Sequence, residues 1–196
     1  MKTAIFFCYN KVDEVILMLY FIRHGQTEEN VKNILTGRRD IPLNETGVKQ
    51  VEDEGVNCKD LNIDIIFCSP LYRARQTCDA INKYHDAEVV VTDEVIERTY
   101  GKYEGKLASS IDREKSWNYF EDYDKKGIET PRMLFGRIYS FLDKIKEEYK
   151  DKDVLIVAHN GVGRAIYCYF NGIPEGGNLL SFNMPNAKVI SYKFED

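Results

Sequence analysis

The chain contains three histidines, and two of them stand where chemistry is expected. His24 lies in Phe21-Ile22-Arg23-His24-Gly25-Gln26-Thr27, and His159 lies in Val157-Ala158-His159-Asn160-Gly161. Each closes an apolar run and is followed closely by glycine. Arginines gather at equivalent places: Arg23 adjoins His24, and Arg73 and Arg75 follow another apolar run that stops at Ser69-Pro70. An imidazole nitrogen can form a covalent intermediate and then leave again. A phosphoryl group in transfer spreads charge over its equatorial oxygens, which planar guanidinium forks stabilise. These residue types therefore suit phosphoryl chemistry. His85, between Tyr84 and Asp86 at a helix end, reads as an exposed residue. Arg75 is two positions from Arg73 and points to another helix face. The histidines are far apart in sequence, with no HExxH pattern, so a metal hydrolase is a poor reading. A Walker-type glycine loop is also absent.

The elements around these residues explain how they could meet. Apolar runs at Leu17 to Arg23, Ile63 to Cys68, Glu88 to Val91, Val154 to Ala158 and Val189 to Phe194 read as strands. Helical spacing covers Asn44 to about Asp60, Leu71 to Tyr84, Pro131 to Tyr149 and Gly161 to Phe170. Thr130 before Pro131 is a plausible cap. Strand–helix alternation predicts an α/β fold, a three-layer sandwich with a mostly parallel sheet flanked by helices. In such sheets ligands sit beyond the carboxyl ends of the strands. Three predicted strands end in loaded residues: Arg23-His24-Gly25, Ser69-Pro70 and His159-Asn160-Gly161. Residues 105 to 130 are irregular, charged and aromatic, and read as a lid or cap.

The remaining composition narrows the setting. Net charge is −5, so nucleic acid and anionic membrane are disfavoured as partners. Five cysteines, none in a CxxC pair, argue for a reducing, cytoplasmic setting; Cys68 and Cys168 read as core residues. Residues 1 to 17 read as an extension outside the core, with Met18 as the functional start of a domain spanning 18 to 196.

Five short stretches, in order, resemble the histidine phosphatase superfamily, which includes the cofactor-dependent phosphoglycerate mutases. They are Arg23-His24-Gly25-Gln26-Thr27; Thr36-Gly37 with Asp40 to Gly47; Ser69 to Thr77; Glu97-Arg98-Thr99-Tyr100-Gly101 with Glu104-Gly105; and Val157 to Val162. The resemblance implies a phosphoglycerate mutase-like fold and a phosphohistidine formed on His24, without metal or other cofactor. It implies that Arg23 and Arg73 clamp the phosphate, that His159 donates to it, and that Asn30 lies near it. By the same resemblance Glu97 is the general acid, in competition with Glu94 and Glu104. Substrate contacts are expected from Asn30, Thr36, Gly37, Arg98, Tyr100 and Asn160. Arg38 and Arg39 read as solvated loop charges, or as holders of a second anionic group. Gly25 and Gly161 are expected to let backbone approach an anion.

The family holds both phosphatases and mutases. The run from Glu97 to Gly101 resembles the mutases. Only 61 residues separate Glu97 from His159, however, where mutases usually carry a longer insertion with adjacent basic residues. Lys106, Arg113 and Lys115 offer no adjacent arginine pair. A phosphomonoester phosphatase acting on a small phosphorylated metabolite is the favoured reading. The alternatives are mutase-type phosphotransfer and a phospho-ligand binding module without turnover. Oligomeric state is not readable.

Overall fold

The computed structural model describes residues 17–123 and 127–194. The extension expected over residues 1 to 17 lies outside these except for Leu17. That residue is buried, and its carbonyl accepts from Phe194 N–H.

Five strands form one sheet: β1 (Met18–Arg23), β2 (Ile65–Cys68), β3 (Glu88–Val91), β4 (Val154–Ala158) and β5 (Val189–Lys193), in the order β3-β2-β4-β1-β5. All neighbours run parallel except β5, which is antiparallel to β1. Strands β2 and β4 are apolar and buried at every position because both faces are covered. Alternate residues feed two cores. Leu19, Phe21, Phe67, Val154 and Ile156 face α5 (Pro131–Glu148) and α6 (Asn160–Asn171). Tyr20, Ile22, Ile66, Cys68, Leu155 and Val157 face α3 (Tyr72–Asn82), with α2 (Glu45–Asn57) packed on α3. The fold is thus the expected α/β sandwich.

Local signals set the helix starts. Asn44 accepts from Gly47 N–H at the head of α2, and Thr130 accepts from Met133 N–H at the head of α5, where Pro131 occupies the first turn. Two short helices escape the periodicity argument, α1 (Glu28–Val31) and α4 (Arg113–Ser116). Four residues are too few to show a 3.6-residue period. Here α1 is nucleated by a capping box between Thr27 and Asn30.

The irregular stretch after residue 105 is anchored. Ile111, Trp117, Tyr123 and Ile128 are buried in the main core. Leu179 N–H donates to the Trp117 carbonyl (3.0 Å), and Tyr119 N–H to that of Gly177 (2.8 Å). Its buried aromatics Trp117 and Tyr123 are therefore roots, and among the described residues of this stretch Ala108 and Arg113 line the pocket described below. No helix among the described residues is long and apolar enough to cross a membrane.

Candidate active site

The sheet order brings the ends of β2, β4 and β1 side by side. Arg23 pairs with Ala158, and the ladder runs one residue further, with His24 N–H donating to the Ala158 carbonyl (3.0 Å). Ser69 N–H donates to Val157 in the same way (3.0 Å). His24, His159 and Ser69 thus meet at one edge. The imidazole of His24 has Nδ1 2.7 Å from the Gly25 carbonyl oxygen. A carbonyl can only accept, so Nδ1 carries the proton and the lone pair is on Nε2. Arg73 Nε donates to that Nε2 (3.2 Å). Burial, then the Arg73 and Arg23 charges, hold His24 well below the ordinary imidazole value.

Arg73, on α3, is 1% exposed, and each of its three guanidinium nitrogens has a partner. Nη1 donates to the Arg39 carbonyl and Nη2 to the Gly37 carbonyl, each at 2.8 Å. Gly37 takes φ +53°, a left-handed turn suited to glycine, and a Cβ there would collide with the Glu104 carboxylate. Arg23 donates through Nη1 to the Met184 carbonyl (2.7 Å), while its Nε is buried with no partner among the described residues. Burial lowers the Arg23 guanidinium to about 10, which leaves it charged at neutral pH.

His159 is 0% exposed and stands behind His24, ring centroids 5.2 Å apart. Its Nε2 is 2.7 Å from Ser69 Oγ, and its Nδ1 is buried without a partner among the described residues. The residue caps α6, where the positive end of the helix disfavours an imidazolium. Burial, then Arg73, keep it well below the ordinary value.

Glu97 lies on the pocket, with Oε1 accepting from Arg98 N–H (2.9 Å) and Oε2 from Gly161 N–H (3.1 Å) in the first turn of α6. Its rivals are placed otherwise. Glu104 Oε1 accepts from Arg38 N–H, Thr99 Oγ1 and Tyr100 N–H, so it clasps two loops. Glu94 is exposed and does not line the pocket. Burial lowers the guanidiniums of Arg23, Arg73, Arg98 and Arg164, and the nearby Glu97 carboxylate opposes that in each.

The cavity in front of His24 measures about 350 Å³. Arg23, His24, Asn30, Thr36, Gly37, Arg73, Glu97, Tyr100 and Asn160 line it. Arg98 does not, contrary to the expected substrate contact. It is 0% exposed, with Cζ 4.2 Å from the Trp117 ring centroid and 5.0 Å from that of Tyr100. The anchored cap closes an aromatic ring over it. Arg38 and Arg39 are exposed loop charges, as expected, and each also pairs with a carboxylate, Glu129 (3.3 Å) and Glu29 (3.1 Å). Gly25 serves packing, whereas Gly161 lets its N–H approach the Glu97 carboxylate. A Cβ on Gly25 would stand 2.6 Å from the Gly47 carbonyl, and one on Gly161 would collide with Glu97 Oε1.

Sequence reasoning gave no role to Ser69, Glu29, Asn183 or Asn186. Asn186 Nδ2 donates to the His24 carbonyl (2.7 Å), and Asn160 bridges Asn183 Oδ1 (3.1 Å) and Met184 N–H (3.0 Å). The only available signal was the polar Asn183-Met184-Pro185-Asn186 turn before β5. Among the described residues no group of three or more His, Cys, Asp or Glu is arranged to hold a metal ion.

The model of the histidine phosphatase superfamily (branch 1) matches residues 19–196. An uncharacterised phosphatase of Bacillus subtilis, PhoE, is 36% identical over 176 residues, 89% of this chain and 87% of that protein. A 2,3-bisphosphoglycerate-dependent phosphoglycerate mutase of Parvibaculum lavamentivorans is 28% identical, over 91% of each. The structure of phosphoserine phosphatase from Entamoeba histolytica, in complex with 3-phosphoglyceric acid, superposes with a TM-score of 0.78 at 25% identity, covering 89% of each chain.

Proposed function

The chain belongs to the histidine phosphatase superfamily, and from that premise we propose that it hydrolyses a small phosphomonoester through a phosphohistidine on His24, without a metal ion. The observation that carries this reading is the tautomer of His24. The Gly25 carbonyl fixes the lone pair on Nε2, and Arg73 Nε marks where a phosphoryl oxygen would sit. Arg23 and Arg73, which both line the cavity beside His24, present two guanidiniums to a phosphate dianion.

The steps follow from these positions. His24 Nε2 attacks phosphorus and the P–O bond to the leaving group breaks. The Arg73 hydrogen bond passes from Nε2 to a phosphoryl oxygen, and Arg23 takes others. Protonated Glu97 gives its proton to the departing alkoxide. Glu97, now a carboxylate, removes a proton from water, which attacks phosphorus and breaks the N–P bond. Phosphate leaves, and Nε2 recovers its lone pair. His159, held by Ser69, does not line the cavity; it packs against the His24 ring and supports that ring's position.

Hydrolysis is favoured over phosphoryl return because the cap presents a single guanidinium, Arg113, to the cavity, whereas gripping a bisphosphate primer calls for more. The relative named as a mutase, at 28% identity, keeps mutase-type transfer as the second reading. The test is phosphate release from a panel of small phosphomonoesters, beside isomerisation of 3-phosphoglycerate with a bisphosphoglycerate primer. Phosphate release that persists in chelator, and a phosphorylated peptide containing His24 after acid-free quenching, are the expected results. Isomerisation without phosphate release would favour the mutase, and loss of activity in chelator would refute metal independence. A His24→Ala protein that retained turnover would refute the nucleophile.

A further inference from the structure

The peptide units on either side of Gly25 hold His24, and side chains from α2, α3 and the turn before β5 fix those units. In the His24-Gly25 unit, the carbonyl accepts from Asn186 Nδ2 (2.7 Å) and the N–H donates to Thr77 Oγ1 on α3 (3.2 Å). In the Gly25-Gln26 unit, the carbonyl is the one that accepts from His24 Nδ1, and the N–H donates to Gln50 Oε1 on α2 (3.0 Å). A peptide unit is planar, and in the trans form its C=O and N–H point opposite ways. Fixing the Gln26 N–H therefore fixes the direction of the Gly25 oxygen.

The head of α2 is shaped for this contact. Asn44, which caps the helix, donates from its backbone N–H to the Gln26 carbonyl and from Nδ2 to Gln26 Oε1, each at 3.0 Å. Gly47, in the first turn, lies directly on the same backbone: a Cβ there would collide with the Gln26 nitrogen and oxygen. Gln50 follows one turn on, half-buried, and is not among the residues that line the cavity. Without its acceptor the Gln26 N–H loses a partner, and the Gly25 carbonyl is free to turn away from Nδ1. The proton can then pass to Nε2, which removes the lone pair that attacks phosphorus. We propose that Gln50 is a positioning residue, which keeps His24 in its reactive tautomer through the Gly25-Gln26 peptide. This rests on the reading of His24 as the nucleophile.

The chain has three histidines, so NMR of the imidazole nitrogens can read each ring separately. The proteins compared are the intact chain, Gln50→Met, which loses the acceptor, and Gln50→Glu, which keeps one. The intact chain should show His24 protonated on Nδ1 and bare on Nε2, with slow deuterium exchange at the Gln26 N–H. Gln50→Met should populate the Nε2–H form. It should also lower kcat for phosphate release by about three- to tenfold, the weight of one hydrogen bond, with KM little moved. Gln50→Glu should restore the tautomer and most of kcat. A merely structural role would lower the melting temperature of Gln50→Met and leave its His24 tautomer as in the intact chain, which overturns the proposal. So would equal impairment of Gln50→Glu and Gln50→Met, or a bare Nδ1 in the intact chain. If Gln50→Met fails to fold, Gln50→Asn, whose acceptor falls one methylene short, takes its place. Failure of the intact chain to hydrolyse any ester refutes the phosphatase reading, whereas the tautomer comparison in the resting protein still decides the role of Gln50.

Discussion

One carbonyl decides which nitrogen of His24 reacts, and one glycine decides whether an acid can serve it. Glu97 is held by two backbone N–H groups, and the one from Gly161 is reachable because Gly161 has no Cβ. Gly161→Ala places a methyl against Oε1 and must push the carboxylate aside. We expect kcat to fall by about ten- to a hundredfold, since small misplacements of a reacting group carry costs of that order. Alanine is the better helix former by about 1 kcal/mol, so stability should not fall in step; equal loss of both in steady-state and melting measurements would refute the positioning account. Glu97→Gln removes the proton itself and should cost about 10² to 10⁴ in kcat on alkyl phosphates, but far less on p-nitrophenyl phosphate, whose leaving group needs no acid. A leaving-group-independent loss would assign the acid elsewhere. His24, Arg23 and His159 stood out in the sequence because each lies at the end of an apolar run, where strand and site are read together. Asn186 did not. It reaches His24 across 162 positions through the turn before β5, and no local pattern announces such a return.

At the scale of elements, the strands and long helices were legible because burial on two faces or one leaves a period of continuous or 3.6-residue apolar sites. The cap was legible only as irregular. Its organising contact joins two charged residues to an aromatic one, and charged residues read as solvated unless a partner is known. Trp117 lies between Arg98 and Arg164, each Cζ 4.2 Å from the ring. The ring separates two buried cations and fastens the cap to Gly161 and α6, whose first turn holds Glu97. Trp117→Leu removes both cation–π contacts, worth about 0.5–2 kcal/mol each, and leaves a void, so a loss of about 3 kcal/mol is expected from chemical denaturation. Because Glu97 adjoins Arg98, kcat should fall as well, with KM for small esters moving less. A variant as stable as the parent would show that the stack does not anchor the cap.

For the whole molecule, the site imposes a pH dependence on folding. His24 and His159 are buried, and burial together with the Arg73 charge lowers both well below the ordinary imidazole value. In the unfolded chain each takes up a proton near pH 6.5. In the folded chain each does so only at much lower pH. Between those limits the unfolded state binds more protons, so stability must fall as pH falls. Two imidazoles that differ in this way contribute about 2.7 kcal/mol per pH unit well below 6.5, and nothing above about 7.5. Urea midpoints measured from pH 7.5 to 5 are therefore expected to be level at first and then to drop. Substituting His159 by asparagine should lessen the slope by about half, whatever it does to the midpoint. Bound vanadate or phosphate should lift the curve at every pH by favouring the folded state. A stability curve flat to pH 5, or a slope indifferent to His159→Asn, would mean that these histidines accept protons in place. The arginines and the burial that surround Nε2 would then not suffice to keep it neutral, and the proposed attack on phosphorus would lack its lone pair.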